Sequence, residues 1–301
     1  MQIGHTPLIK LERLTPGNGV EIWVKWEGAN PTGSMKDRMA LSMIVGAEQR
    51  GELRAGGRVV DYTGGSTGSS LAMVCAARGY RAHFVSSDAF SEEKLQTMRA
   101  FGAQLDVVPS VNGKVTPELF QECFRRVRVL AGEPNTFWTD QFNNPDNRSG
   151  YHAMADETIA AIGHFDEYVM MVGTGGSFSG NAEVFKARVK GVRCIAGEPA
   201  NSRALSGLAA TAGHRIEGTG TGFVPGIHRA DLTDGIVAVT DEDAFATARR
   251  LARDEGLFGG ISSGANVWIA LQRAAHLTPG SRIVTTMCDS GLKYLRGDLY
   301  R

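Results

Sequence analysis

The chain has no excess of charge of either sign. Its 32 Lys and Arg offset 32 Asp and Glu along 301 residues, which leaves no basic face for nucleic acid or anionic lipid. Long apolar runs are missing too. The stretches at 72–77 and 168–172 fall far below the roughly 20 residues that span a bilayer. The opening Met1-Gln2-Ile3-Gly4-His5 has neither the basic head nor the apolar run of a secretory signal. A soluble, cytoplasmic protein without nucleic-acid or membrane partners is expected. Cysteine is scarce: Cys75, Cys123, Cys194 and Cys288 lie far apart, with no C-x-x-C pair and no histidine at ligand spacing. That argues against a disulfide framework and against a metal site. Cys75 and Cys194, each inside a short apolar segment, read as buried small hydrophobes.

What is abundant is glycine. The chain has 38, about twice the usual share of roughly 7%, and they are clustered rather than periodic. With 42% apolar residues the length suits one large or two ordinary α/β domains. Short runs rich in Val, Ile and aromatics alternate with longer segments of helical period, the pattern of a parallel α/β protein. Strands are expected near 21–26, 58–62, 81–86, 104–108, 168–172, 192–198, 236–239 and 282–287. Helices are expected at 35–50, 66–78, 91–101, 116–131, 148–162, 178–189, 241–255 and 263–275.

In such sheets ligands sit beyond the carboxyl ends of strands, where loops enter helices. Two glycine loops fall there. Thr63-Gly64-Gly65-Ser66-Thr67-Gly68 follows one strand and Gly173-Thr174-Gly175-Gly176-Ser177 another, suggesting two half-sites on one cleft. The polar stretch 139–147 is the candidate crossing between the two strand sets.

Several motifs compete for these loops. Gly64-Gly65-Ser66-Thr67-Gly68 and Gly260-Ile261-Ser262-Ser263-Gly264 both satisfy G-x-S-x-G, but two hits in one glycine-rich chain and no oxyanion loop beside either demote a hydrolase. The loop at Gly173 begins like a dinucleotide fingerprint, with Glu198 at the distance of a ribose-binding acid. However, its sixth position is Phe178, where that fold packs a glycine. The amides of the loop could still hold one phosphate. Lys36, in Asn30-Pro31-Thr32-Gly33-Ser34-Met35-Lys36-Asp37-Arg38, stands at a helix start that disfavours a cation. A Schiff base to a phosphate-bearing aldehyde reconciles that lysine with the phosphate loop.

Taken in order, these segments resemble the fold-type II pyridoxal-phosphate enzymes, and among them the cysteine synthase and cystathionine β-synthase family. The likeness runs nearly end to end, from Gly4-His5-Thr6-Pro7-Leu8 through the loops above, Gln141-Phe142, Asn144-Pro145 and Gly218-Thr219-Gly220-Thr221-Gly222-Phe223-Val224-Pro225 to Asp289-Ser290-Gly291. The resemblance implies two doubly wound α/β domains with the cofactor in the cleft between them. The smaller, substrate-binding domain would be 38–138, and the larger, cofactor-binding domain 1–37 with 139–301. It implies pyridoxal 5'-phosphate on Lys36, the catalytic residue. Cofactor contacts would come from Gly173, Thr174, Gly175, Gly176, Ser177, Ser66 and Ser290, the last facing the ring nitrogen. Substrate contacts would come from Thr63, Gly64, Ser66, Thr67, Gln141 and Gly218.

The implied activity is β-replacement on an activated serine of the O-acetylserine or O-phosphoserine type, with sulfide or another small nucleophile, in a homodimer. A β-eliminating lyase, of the cysteine desulfhydrase or serine dehydratase type, is the nearest alternative; a catalytically weak binding protein would need neither Lys36 nor Ser290. Two positions depart from the family loop, in which Ser usually stands where Gly64 is and Asn where Ser66 is. The lost side-chain volume leads us to expect a roomier, less tightly gripped substrate site.

Overall fold

The computed structural model describes residues 2–112 and 116–301. The chain forms two compact units, a continuous one of Lys36–Gly150 and a discontinuous one that joins Gln2–Met35 to Tyr151–Arg301. In chain order the strands are β1 (Leu8–Lys10), β2 (Glu21–Trp26), β3 (Arg58–Tyr62), β4 (Arg81–Ser87), β5 (Gln104–Val108), β6 (Thr136–Trp138), β7 (Glu167–Met171), β8 (Arg193–Pro199), β9 (Gly235–Val239) and β10 (Arg282–Met287). The helices are α1 (Lys36–Gln49), α2 (Ser66–Arg78), α3 (Glu92–Ala100), α4 (Pro117–Ala131), α5 (Pro145–Ser149), α6 (His152–Ile162), α7 (Gly176–Arg188), α8 (Asp241–Glu255) and α9 (Ile261–Ala274).

The continuous unit has a parallel sheet in the order β5-β4-β3-β6. From β3 the chain steps outward to β4 and β5, then returns to the other side of β3. The discontinuous unit repeats this plan in the order β1-β2-β10-β7-β8-β9, parallel except where β1 pairs antiparallel with β2. Here β7, β8 and β9 step one way and β10 lies on the opposite side of β7. Right-handed crossovers that reverse direction also change face, so helices cover both sides of each sheet. The strands bear this out: β7 is buried at every residue, and β3 and β10 at all but their first, where a sheet with one wet face would alternate.

Val60, Tyr62, Val85 and Val108 pack with Leu119, Cys123 and Val127 of α4 in the continuous unit. In the other, Ile22, Val169, Ile195 and Ile283 pack with Ala265, Ile269 and Ala270 of α9. All four cysteines are free and buried, as read for Cys75 and Cys194. Among the described residues no helix is long and apolar enough to cross a membrane.

The expected elements all appear, within two or three residues at their ends, with one break. The helix expected at 148–162 is two helices, α5 and α6, separated at Gly150. A Cβ there would lie 2.9 Å from Ser42 Cβ, 3.0 Å from the Arg38 carbonyl and 3.0 Å from Met39 Cα. The chain thus bends where it comes closest to α1. Two strands absent from the sequence reading, β1 and β6, are three residues each, too short to show a period.

Candidate active site

Strand order reverses between β7 and β10 in the discontinuous unit, and the crevice outside the carboxyl ends of such a pair is where open α/β sheets bind ligands. The glycine loop sits there, directly after β7. Gly173 is held by a close approach, because a Cβ would stand 2.0 Å from the carbonyl oxygen of Gly218. Gly175 has φ +87°, a left-handed conformation that favours glycine, and serves as N-cap of α7. This turn sets successive backbone amides at the positive end of a thirteen-residue helix, an arrangement suited to a phosphate. The side chains of Thr174 and Ser177 are buried beside it. The Ser177 carbonyl accepts from Asn181 Nδ2 at 2.7 Å, and Thr174 Oγ1 accepts from the Gly176 amide at 3.4 Å.

His228, which the sequence reading did not single out, backs this cradle. Its backbone and Cβ lie about as close to Gly175 as a side chain there would permit, and its ring packs on Phe178 at 5.5 Å between centroids. Burial pushes its imidazole below the usual value, against the pull of Asp231. No motif marks His228; its place follows from the loop that carries Gly218 folding back on the loop that carries Gly173.

The end of β10 receives the segment that leads to Lys36. The Met35 amide donates to the Cys288 carbonyl at 2.9 Å and the Ser290 amide to the Gly33 carbonyl at 3.0 Å, with Ser34 bridged to Asp289 between them. Lys36 follows Met35 in the chain and opens α1, half-buried. Its neighbour Asp37, fully buried in the first turn, accepts from Ser70 Oγ at 2.6 Å and supplies the negative charge that a helix start favours. Ser290 caps a short 3-10 turn, its hydroxyl oxygen accepting from the Leu292 amide at 3.3 Å. That leaves the hydroxyl proton to donate.

The continuous unit has its own reversal, between β3 and β6, and the second glycine loop occupies it. Thr63 Oγ1 accepts from the amides of Gly65 at 3.2 Å and Gly68 at 2.9 Å, folding the loop into the start of α2 at Ser66. Thr67 Oγ1 donates to Gln141 Oε1 at 2.9 Å, and Gln141 Nε2 donates to the Tyr62 carbonyl at 2.8 Å. Thr63 and Thr67 of this loop and Gln141, distant in sequence, therefore form one buried polar cluster. Asn147 Nδ2 fixes the Gln141 carbonyl at 2.6 Å. Gly64 and Ser66 lie half-exposed on the same loop.

The expected roominess at Gly64 is not found. A Cβ on Gly64 would stand 2.5 Å from Phe90 Cε1 and 2.8 Å from its Cδ1 and Cζ. The space that a serine side chain would take is filled by an aromatic ring from the turn before α3.

A glycine turn at the start of α7, the anchored segment that leads to Lys36 and the Thr63–Thr67–Gln141 cluster are features expected of a pyridoxal-phosphate enzyme of fold-type II. The chain belongs to the family described as pyridoxal-phosphate dependent enzyme, whose profile matches residues 1–289. It is 36% identical to a cysteine synthase of Staphylococcus aureus over 99% of this chain and 95% of that protein. Among solved structures, O-ureido-L-serine synthase superposes with a TM-score of 0.92 at 36% identity, covering 99% of this chain and 93% of the other. An O-acetylserine dependent cystathionine β-synthase from Helicobacter pylori gives 0.92 at 33% identity, covering 99% and 97%.

Proposed function

We propose that this enzyme carries out β-replacement on O-acetylserine or a closely related activated serine, with a small sulfur nucleophile. The observation that carries the reading is the pairing of Gly33 and Met35 with Ser290 and Cys288. On this reading it would bring the segment that leads to Lys36 and a neutral hydroxyl to the crevice outside β7 and β10. The relatives named above support the same chemistry. On the family resemblance we also read the protein as a cytoplasmic homodimer.

Pyridoxal 5'-phosphate fits the residues present, since the 173–177 turn gathers successive amides at the start of α7 and is closed to any side chain at Gly173. When bound, the cofactor supplies an aldehyde for the substrate amine and a conjugated ring that takes up the electrons released at Cα. The amides of Gly173, Thr174, Gly175, Gly176 and Ser177 would hold its phosphate. Lys36 would hold the aldehyde carbon and, once displaced, its Nζ takes the Cα proton, a general-base role typically contributing about 10²–10⁴-fold. Ser290 would donate its hydroxyl proton to the ring nitrogen, and a neutral donor there leaves that nitrogen without a full positive charge.

Thr63, Thr67 and Gln141, with the amides that open α2, would grip the substrate carboxylate, and Gly64 and Ser66 would border it. Ser66 would also face the ring hydroxyl where the family usually has Asn. Gly218 would bound the substrate space from above Gly173.

Borohydride reduction of the yellow holoenzyme followed by peptide mapping should place the label on Lys36, and Lys36→Ala should lose both label and turnover. Label on any other lysine overturns the assignment. Incubation with O-acetylserine and sulfide should yield cysteine; pyruvate as the main product would mark a lyase.

A further inference from the structure

The ring at Gly64 does more than fill a gap. Phe90 is set by a tight turn after β4, its amide donating to the Ser87 carbonyl at 3.2 Å. Asp88 in the same turn accepts from the Ser110 amide at 2.7 Å. The ring is thus held against the backbone of the loop that would grip the carboxylate. One side of it packs towards Tyr62 at 6.3 Å between centroids, and Tyr62 meets Phe120 at 4.8 Å and Phe124 at 5.4 Å. Phe90 itself stays half-exposed, as does Gly64 beside it.

The family's usual serine hydroxyl is thereby exchanged for an aromatic surface. The two surfaces favour different nucleophiles. Hydrosulfide is small and strongly hydrated, and gains nothing from an apolar ring while losing water to approach it. A thiol with an aryl or alkyl body buries apolar area there, worth roughly 25 cal/mol per Å², and an aryl body adds ring-to-ring attraction.

We propose that Phe90 is a specificity-determining residue that selects an organic thiol with an apolar body over hydrosulfide as the nucleophile. This rests on the β-replacement reading. In the step concerned, the Cβ–O bond to acetate breaks with the electron pair leaving on acetate. A Cβ–S bond forms from the thiol, and the thiol proton is released to solvent. No oxidant or reductant is needed.

The test uses the holoenzyme with O-acetylserine and, in parallel, sulfide or benzenethiol, scoring acetate release and the S-substituted product. The quantity read is kcat/KM for benzenethiol divided by that for sulfide, compared between enzymes so that the intrinsic reactivity of each nucleophile cancels. Phe90→Ala should lower this quotient at least about tenfold, the scale on which an apolar pocket discriminates. Phe90→Leu, which keeps apolar volume but no ring, should fall between. Gly64→Ser should lower it as well by displacing the ring, and should add little on top of Phe90→Ala, because the two residues share one space. Acetate release with a quotient unchanged in both Phe90 variants overturns this inference alone. Absence of acetate release with either nucleophile overturns the β-replacement reading and this inference with it.

Discussion

Asp61 lies inside the buried stretch of β3, two residues before Thr63. Its Oδ1 accepts from its neighbour's amide, Tyr62, at 2.8 Å and from Trp138 Nε1 at 3.2 Å, and its Oδ2 accepts from the Thr139 hydroxyl. Burial outweighs these bonds and pushes the carboxyl up to about 7 from 3.8. The folded state thus binds this proton more tightly than the unfolded chain does. The stability it contributes is full below about pH 4 and is lost as pH rises through about 7.

Asp61→Asn copies the protonated form. Its Oδ1 keeps both donors, and Nδ2 donates to a Thr139 hydroxyl that rotates to accept. Melting temperatures of the two proteins should converge near pH 4, and the variant should become the more stable as pH approaches 8. Parallel curves across that range would show that Asp61 titrates at its ordinary value. Trp138 and Thr139 lead directly to Gln141, so these bonds hold the end of β6 next to the Thr67–Gln141 pair.

Much of the element pattern could be read from sequence, and the reason differs from place to place. α8 was readable because Thr240 accepts from the Asp243 amide at 3.1 Å, three acids fill the first turn and Gly256 stops the helix, all local signals. β7 and β10 were readable because strands covered on both faces are buried nearly throughout and read as short apolar-rich runs. The two glycine loops were visible as clusters between strand and helix, and each stands at a reversal of strand order, where such sheets bind ligands. Phe90 was invisible as a partner of Gly64, since nothing local ties a turn after β4 to a loop after β3. The break at Gly150 was hidden for the same reason, as its cause lies on α1.

That break gives a prediction for the element. Gly150→Ala should gain about 0.4–1 kcal/mol by restricting the unfolded chain. It should lose more, because two of the three atoms nearest the new methyl are backbone and cannot move aside. A net destabilisation of about 1–2 kcal/mol, within the range for overpacking, should appear in the denaturant midpoint. A gain in stability would mean that α5 and α6 can merge without disturbing α1.

At the scale of the whole molecule, the four cysteines report on both units at once. Cys75 and Cys123 belong to the continuous unit, Cys194 and Cys288 to the other. Burial pushes the thiols of Cys75 and Cys194 up to about 12 and that of Cys123 up to about 11. A thiol so protonated is a poor nucleophile. At pH 8 an aromatic disulfide reagent should leave all four unreacted in the native protein and titrate four per chain in denaturant. A thiol that reacts within the mixing time would locate a unit that opens without global unfolding.

The pairing of β2 with β10 sets an order in time on the ribosome. β2 emerges early, yet its neighbours in the sheet are β1 and β10, so it must wait through the synthesis of almost the whole chain before its sheet can close. Over that interval the continuous unit, whose strands are all made in one stretch, can already pair internally. Contacts of such long sequence separation form late and slowly, and the one that joins Gly33 and Met35 to Ser290 and Cys288 is among them. A nascent chain can therefore close the sheet that carries the Thr63–Gly68 loop before the segment leading to Lys36 is anchored on the end of β10.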